Sequence, residues 1–300
     1  MIMKSNIVFC LLMLANGAVA QTFTEKISKE LSFEKRSDDN ALIVANLNGN
    51  IRVEGYPGDK ILLEVEKTIR AKTEARLQVG KSEIQIGIID RADTLIVYVQ
   101  EGCHQFRKKE GEKMNSGWHH QGWGYQSLSP SRHDCHAEYD YKMEFTIKVP
   151  QSLHLMVSTV NDGDIIVENV DGVVKAGNIN GSIRLSNLKR EAVAHTINGD
   201  VDIEYATNPG RECRFYTLNG DINALFQPGL SANMKFESFN GSFYTNITRI
   251  ENLPLKVEKA NRGDGVQFKI NGNQYQVGQG GVVLDFETFN GNVYLKEKSN

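Results

Sequence analysis

Seven cysteine and histidine side chains lie between positions 103 and 136: Cys103, His104, His119, His120, His133, Cys135 and His136. They include five of the seven histidines in this chain of 300 residues. Cysteine and histidine suit zinc or copper, and the two Cys-His steps could fold together into one donor set. Their spacing follows no established metal signature. The same two sulfurs suit a disulfide. A Cys103–Cys135 bridge would enclose 31 residues and stabilise the fold by about 3–4 kcal/mol in chain-entropy terms. An oxidising compartment favours the bridge over the metal. His133-Asp134 is a conceivable catalytic dyad, but no nucleophile elbow accompanies it. Nothing in the sequence calls for a cofactor.

Two further motifs invite chemistry. Asp164, Asp200 and Asp221 each follow a turn glycine and could stack into a carboxylate row for calcium. Calcium-binding solenoids repeat at about nine residues and are richer in glycine. Here Ser182, Ser242, Asn50 and Asn292 interrupt the charge, and turn chemistry explains all of them equally well. Arg262-Gly263-Asp264 is a cell-attachment tripeptide, yet "NRGDG" is more simply a turn between two strands.

The elements that would hold these residues begin with a secretory signal, expected over 1–20. Lys4 opens it, Ile7 to Leu14 form an apolar run too short to span a bilayer, and Ala18-Val19-Ala20 precedes a cleavage site before Gln21. Cys10 lies inside the apolar run, not at the junction, which argues against a lipid anchor. The expected location is the periplasm or cell surface, with no transmembrane segment. The formal net charge of −3 becomes −4 once Lys4 leaves, and its mixed signs give no footprint for nucleic acid. Of the four cysteines, Cys103, Cys135 and Cys213 then remain, which predicts one bridge and one spare thiol.

Nearly everything after the signal alternates like strand. A β segment over 21–101 should hold strands at Ala41–Val53, Lys60–Lys67, Glu83–Ile89 and Thr94–Gln100, with one short helix from Lys72 to about Val79 making contact through Ala75 and Leu77. Residues 102–137, rich in His and Gly and holding Trp118 and Trp123, lack a period and are expected to be an inserted loop. Tyr139–Val149 opens the last segment, 138–300.

A repeat dominates that segment: an apolar residue, Asn-Gly, a short polar residue, then alternating apolar residues. It includes Asn180-Gly181, Asn198-Gly199, Asn219-Gly220, Asn240-Gly241 and Asn290-Gly291, with a forerunner at Asn48-Gly49. The turns at Gly163, Gly181, Gly199, Gly220 and Gly241 are spaced 18, 18, 21 and 21 residues apart. The expected inward set is the residue before Asn and the second and fourth after Gly: Val160, Ile165 and Val167, then Ile179, Ile183 and Leu185, then Ile197, Val201 and Ile203. Asn and Gly tolerate positive φ best, which suits two-residue hairpins. A hairpin meander gives no reason for the same register at every second strand, whereas a solenoid does. The fold class is all-β, a β-solenoid with stacked Asn and Thr ladders; the alternative is an antiparallel β-sandwich or meander.

The units Thr196–Val201 and Thr217–Ile222, with the closing "VGQGGVVLDFETFNGNVYL" over 277–295, resemble the bacterial putative-adhesin family of exported envelope proteins. The resemblance covers roughly 40–300 and implies a right-handed, single-stranded β-helix. It brings no catalytic residues. Two functions stand: a non-enzymatic envelope protein whose solenoid presents a surface to an envelope glycan, a surface protein or itself, or a polysaccharide lyase or hydrolase. A metal-responsive sensor using the histidine-rich loop is a third.

Overall fold

The computed structural model describes residues 20–108, 123–127, 137–254, 257–262, 265–270 and 273–299. Residues 1–19 of the expected signal segment and His119, His120, His133, Cys135 and His136 lie outside them. In chain order the elements are β1 (Gln21–Leu31), β2 (Ala41–Ala45), β3 (Ile51–Tyr56), β4 (Ile61–Ala71), α1 (Glu74–Glu83), β5 (Gln85–Asp90), β6 (Thr94–Gln100), β7 (His104–Lys108), β8 (Trp123–Ser127) and β9 (Tyr139–Pro150). There follow β10 (His154–Ser158), β11 (Ile165–Glu168), β12 (Val174–Gly177), β13 (Ile183–Leu188), β14 (Ala192–Asn198), β15 (Val201–Tyr205), β16 (Cys213–Asn219) and β17 (Ile222–Phe226). The last are β18 (Ala232–Asn240), β19 (Phe243–Thr245), β20 (Ile250–Asn252), β21 (Val257–Arg262), β22 (Gly265–Ile270), β23 (Asn273–Val277), β24 (Val282–Asn290) and β25 (Val293–Glu297).

The chain is all-β, built on two large sheets. One is ordered β1-β4-β9-β3-β11-β13-β15-β17-β25-β19 and the other β20-β23-β18-β24-β16-β14-β12-β10-β2-β6-β5. From β10 to β19 consecutive strands alternate between the sheets, and each pairs in parallel with strands of neighbouring units. A unit is thus a strand of the second sheet, an Asn-Gly turn and a strand of the first. Asn198-Gly199 joins β14 to β15 across the sheets, so it closes no hairpin. Val201 pairs with Ile183 and with Ile222, not with Ile197. Ile165, Ile183, Val201 and Ile222 line up in the register that the glycine spacing predicts.

The spatial order of units departs from chain order at both ends. The β2–β3 unit stacks directly on β10–β11, so the N-terminal segment shares both sheets with the repeats. The β24–β25 unit inserts between β16–β17 and β18–β19. Period-two alternation sends Val167, Leu185, Ile203 and Ala224 from one sheet and Leu155, Ala176, Ala194 and Phe215 from the other into one core. Each fully buried Val, Leu, Ile or Phe there contributes roughly 1.5–3 kcal/mol.

Three local expectations are corrected. Ala41–Val53 is two strands with a turn between them, because Asn48-Gly49 is itself a repeat turn. The helix starts later and runs to Glu83: Thr73 caps it by accepting from the Arg76 N–H at 3.4 Å. Its buried residues are Leu77 and Gly80, whereas Ala75 is exposed. Gly80 lies so close to Ile69 and Tyr139 that a methyl there would come within 3 Å of both. Finally, 102–137 is not all loop. β7 and β8 form an antiparallel pair whose Phe106 stacks on Tyr98, with centroids 4.7 Å apart. The Tyr125 hydroxyl accepts from the Val99 N–H at 3.0 Å and lies 3.0 Å from the Ala45 carbonyl. The pair thereby covers an outer apolar patch of Ile43, Ala45 and Ile96.

Candidate functional site

The Asn-Gly turns stack along one edge. Their asparagines form a continuous amide ladder in which each Nδ2 donates to the Oδ1 of the unit before. The links are Asn161 to Asn48 (3.3 Å), Asn180 to Asn161 (2.9 Å), Asn198 to Asn180 (2.8 Å), Asn219 to Asn198 (2.8 Å), Asn290 to Asn219 (2.8 Å) and Asn240 to Asn290 (2.8 Å). The post-glycine residues form a second ladder. Oδ1 of Asp164 accepts from the Ser182 N–H at 2.8 Å, Oδ1 of Asp200 from Asp221 N–H at 2.8 Å, and Oδ1 of Asp221 from Asn292 N–H at 2.7 Å. These three carboxylates are turn acceptors, and Ser182, Asn50 and Asn292 occupy equivalent rungs.

The turn glycine is required by closeness. A Cβ on Gly199 would sit 2.3 Å from the Gly181 carbonyl oxygen, and one on Gly163 would sit 2.1 Å from Gly49 backbone. The asparagines of these turns do not take positive φ, which among non-glycine described residues falls at Asp162, Asn169 and Asn187.

One inward position differs from expectation by a single residue. The hydroxyl residue, not its apolar successor, enters the core. Thr196, Thr217 and Thr288 are buried and donate to the glycine carbonyl one unit away: Gly181 at 2.8 Å, Gly199 at 2.8 Å and Gly220 at 3.1 Å. Asn178 plays this part in its unit, donating to Gly163 at 2.9 Å. A turn carbonyl drawn inside by stacking must be satisfied, and a short donor does so where an aliphatic side chain cannot. The residue before Asn therefore faces outward. Ile179 is 40% exposed, Phe289 44% and Phe239 75%. With Val160, Ile197 and Leu218 half-buried between them, they make an apolar stripe beside the amide ladder.

The stripe ends in stacked aromatics that the sequence pattern did not single out. Phe239 and Phe289 lie 4.8 Å apart at 4°. Around the turn, Tyr244 and Tyr294 stack at 5.1 Å on the outer face of the first sheet. The usable signal was composition: only these two units carry aromatics at both places. Beside Tyr294 is an open trough of about 280 Å³ bordered by Arg184, Asp202, Asn223 and Lys296. Asn223 donates to Asp202 at 2.9 Å, and Arg184 reaches the same carboxylate at 3.3 Å.

The Cys/His cluster is only partly placed. His104 sits in β7 with its ring against Glu101, and Cys103 is engaged, not a free thiol. No group of three His, Cys, Asp or Glu side chains suited to a metal is found among the described residues. Cys213 is free and fully buried in β16, 3.1 Å from the Tyr205 hydroxyl, and burial raises its pKa. Burial also pushes Tyr139 upward, helped by its 2.6 Å bond to Glu83. His195, stacked on Tyr216 at 4.5 Å, is driven down to about 4 by burial and by the Arg214 charge. Arg262 ends β21 opposite Gly265 of β22, while Gly263-Asp264 and His133-Asp134 lie outside the described residues. No helix among those residues is long and apolar enough to cross a membrane.

No protein-family model matches the chain, and no curated protein matches it. Among solved structures it is similar to a putative cell adhesion protein from Clostridium sporogenes ATCC 15579, at 11% identity over 92% of this chain and 100% of that one, with a TM-score of 0.41. It is also similar to a putative adhesin from Bacteroides fragilis NCTC 9343, at 13% identity over 91% and 97% of the two chains, with a TM-score of 0.36. The fold described above rests on the strand pairing alone.

Proposed function

We propose that the chain is an exported, adhesin-like β-solenoid of the cell envelope, without catalytic activity, whose stacked turn edge presents a binding surface to an envelope glycan or surface protein. The observation that carries this reading is the outward apolar stripe from Val160 to Phe239, held rigid by six successive amide bonds. Exposed apolar patches rimmed by polar groups mark interaction sites. In this reading the signal is cleaved after Ala20. Gln21 then becomes the first residue of β1, and pairing begins with it, opposite Ala71. The Cys103–Cys135 bridge closes the inserted segment, which agrees with Cys213 being the free cysteine of the described residues.

The test is to add purified mature protein to washed envelope fragments and measure the bound fraction. Saturable binding is expected, weakened at least about fivefold, or ~1 kcal/mol, by the I179E/F289E double variant. Protein from the envelope fraction should begin at Gln21. A retained Met1 would overturn export, and release of sugar from the fragments by the purified chain would overturn the non-enzymatic reading.

A further inference from the structure

The two ends of the turn stack are finished differently. At the β2–β3 end the ladder is closed: the Glu144 carboxylate accepts from the Asn50 N–H at 3.1 Å, and the Asn46 amide donates to both Gly49 and Met143 carbonyls. At the β18–β19 end it is open. In six units the turn glycine's carbonyl accepts a side-chain donor from the unit stacked next: Thr159 on Gly49, Asn178 on Gly163, Thr196 on Gly181, Thr217 on Gly199, Thr288 on Gly220 and Ser238 on Gly291. Gly241 offers the same carbonyl with no such donor among the described residues. β23 covers only Ala232–Phe236 of β18, and among the described residues β19 pairs only with β25. Among the described residues the outer edge of 237–245 therefore has no backbone partner, and Phe239 and Tyr244, the two most exposed large apolar side chains among them, stand on it at 75% and 50%.

We infer that this rim binds a second copy of the same rim, β19 pairing antiparallel with its counterpart about a two-fold axis near Tyr244. The inference deepens the presented-surface reading and shares its premise that the last unit is exposed. Charge selects the occupant. Natural sheet edges are guarded against pairing by charged side chains. β1, at the other edge of the same sheet, carries Glu25, Lys26, Lys29 and Glu30. On this rim only Glu237, at its start, is charged, and Ser238–Thr248 has no charge and no proline. Head-to-tail stacking would set that apolar rim against a guarded strand and leave charges beside Phe239 and Tyr244. A two-fold pairing sets apolar against apolar, supplies both bare edges with backbone partners, and closes after two copies. The rim is small beside the roughly 20–30 residues a side of a standard interface, so association is concentration-dependent, half complete on the order of 10 µM.

Sedimentation velocity on the mature chain from about 1 to 200 µM reads this directly. Wild type should pass from monomer to dimer, and Y244K should shift the midpoint at least about tenfold upward, one full factor of ten in the constant. F239K should do the same, and melting profiles matching wild type would show that either variant is folded. In oxidising buffer Y244C should cross-link to itself, and a K26C/Y244C mixture should give no mixed product. A wild type monomeric throughout, an unchanged midpoint in both folded lysine variants, or Y244C cross-linking to K26C would each overturn the inference. Envelope binding weakened in I179E, four units away from the rim along the amide ladder, alongside normal dimers supports the pairing, since the two properties then separate.

Discussion

Replacing Thr196 by Val tests which residue of the repeat faces the core. Thr196 is fully buried, and its hydroxyl is 2.8 Å from the Gly181 carbonyl. Valine keeps the shape and β-branching but leaves that carbonyl without its donor, at a cost of about 1–3 kcal/mol. The added methyl returns at most ~0.8 kcal/mol, so a net loss of about 1–2 kcal/mol is expected. Phe239→Ala is the counterpart. The periodicity read from sequence points this side chain inward, where truncation costs roughly 3–5 kcal/mol. In the structure it is 75% exposed and stacks only on Phe289, a contact worth about 0.5–1.5 kcal/mol, so its loss should stay near 1 kcal/mol. Urea unfolding of the mature chain, compared by midpoint where m is unchanged, measures both. A loss above about 3 kcal/mol for F239A together with a neutral T196V would put the apolar residue in the core and refute the reasoning.

Three other outcomes follow from particular contacts. Gly199→Ala should cost about 3 kcal/mol, because the new Cβ meets stacked backbone at 2.3 Å; Gly210→Ala, with nothing within 4 Å, should stay within about 0.5 kcal/mol by the same titration. His195 has its pKa lowered to about 4, so the unfolded chain binds more protons between about pH 6.5 and 4 and stability falls as pH drops through that window. After discounting for its partial exposure the loss is about 1–2 kcal/mol; H195Q should flatten the pH profile of the melting temperature, and an unchanged slope would remove His195 as its source. Non-reducing peptide mapping should recover a Cys103–Cys135 peptide, with Cys213 alkylated only after unfolding because burial raises its pKa.

The register of the middle units was legible because stacking demands a bare glycine at each turn, and the glycine spacing therefore places Ile165, Ile183, Val201 and Ile222 together. Spacing alone does not order units separated by long excursions. Nothing local says that Gly163 lies on Gly49, or that the Gly291 turn packs between those of Gly220 and Gly241. The inward phase was misread because hydropathy ranks Ile above Thr, while the core here also needs a donor for every glycine carbonyl. β1 escaped notice because its partly buried Phe23, Ile27 and Leu31 are spaced by four and separated by exposed charge, as suits an edge. β7 and β8 escaped because Phe106, Trp123 and Tyr125 cover the outside of a sheet, where a periodicity argument looks for solvent.

The same chemistry that zips the units together also explains where the surface is free to differ. In Thr-Φ-Asn-Gly-Asp the hydroxyl, amide and carboxylate each bond to a neighbouring unit, and the glycine has no room for a Cβ. Only the Φ side chain makes no bond that the stack requires, its backbone carbonyl pairing between units like its neighbours'. It is Leu47 where the ladder is closed, 9% exposed, and Phe289 and Phe239 where it is open, 44% and 75% exposed. Among the described residues, apolar size and exposure at this position are greatest in the last two units of the stack. Burial of a scaffold's own core would place the largest aromatics where they are most covered. Their opposite placement, at the one position the scaffold leaves unconstrained, argues that they serve a contact outside the chain.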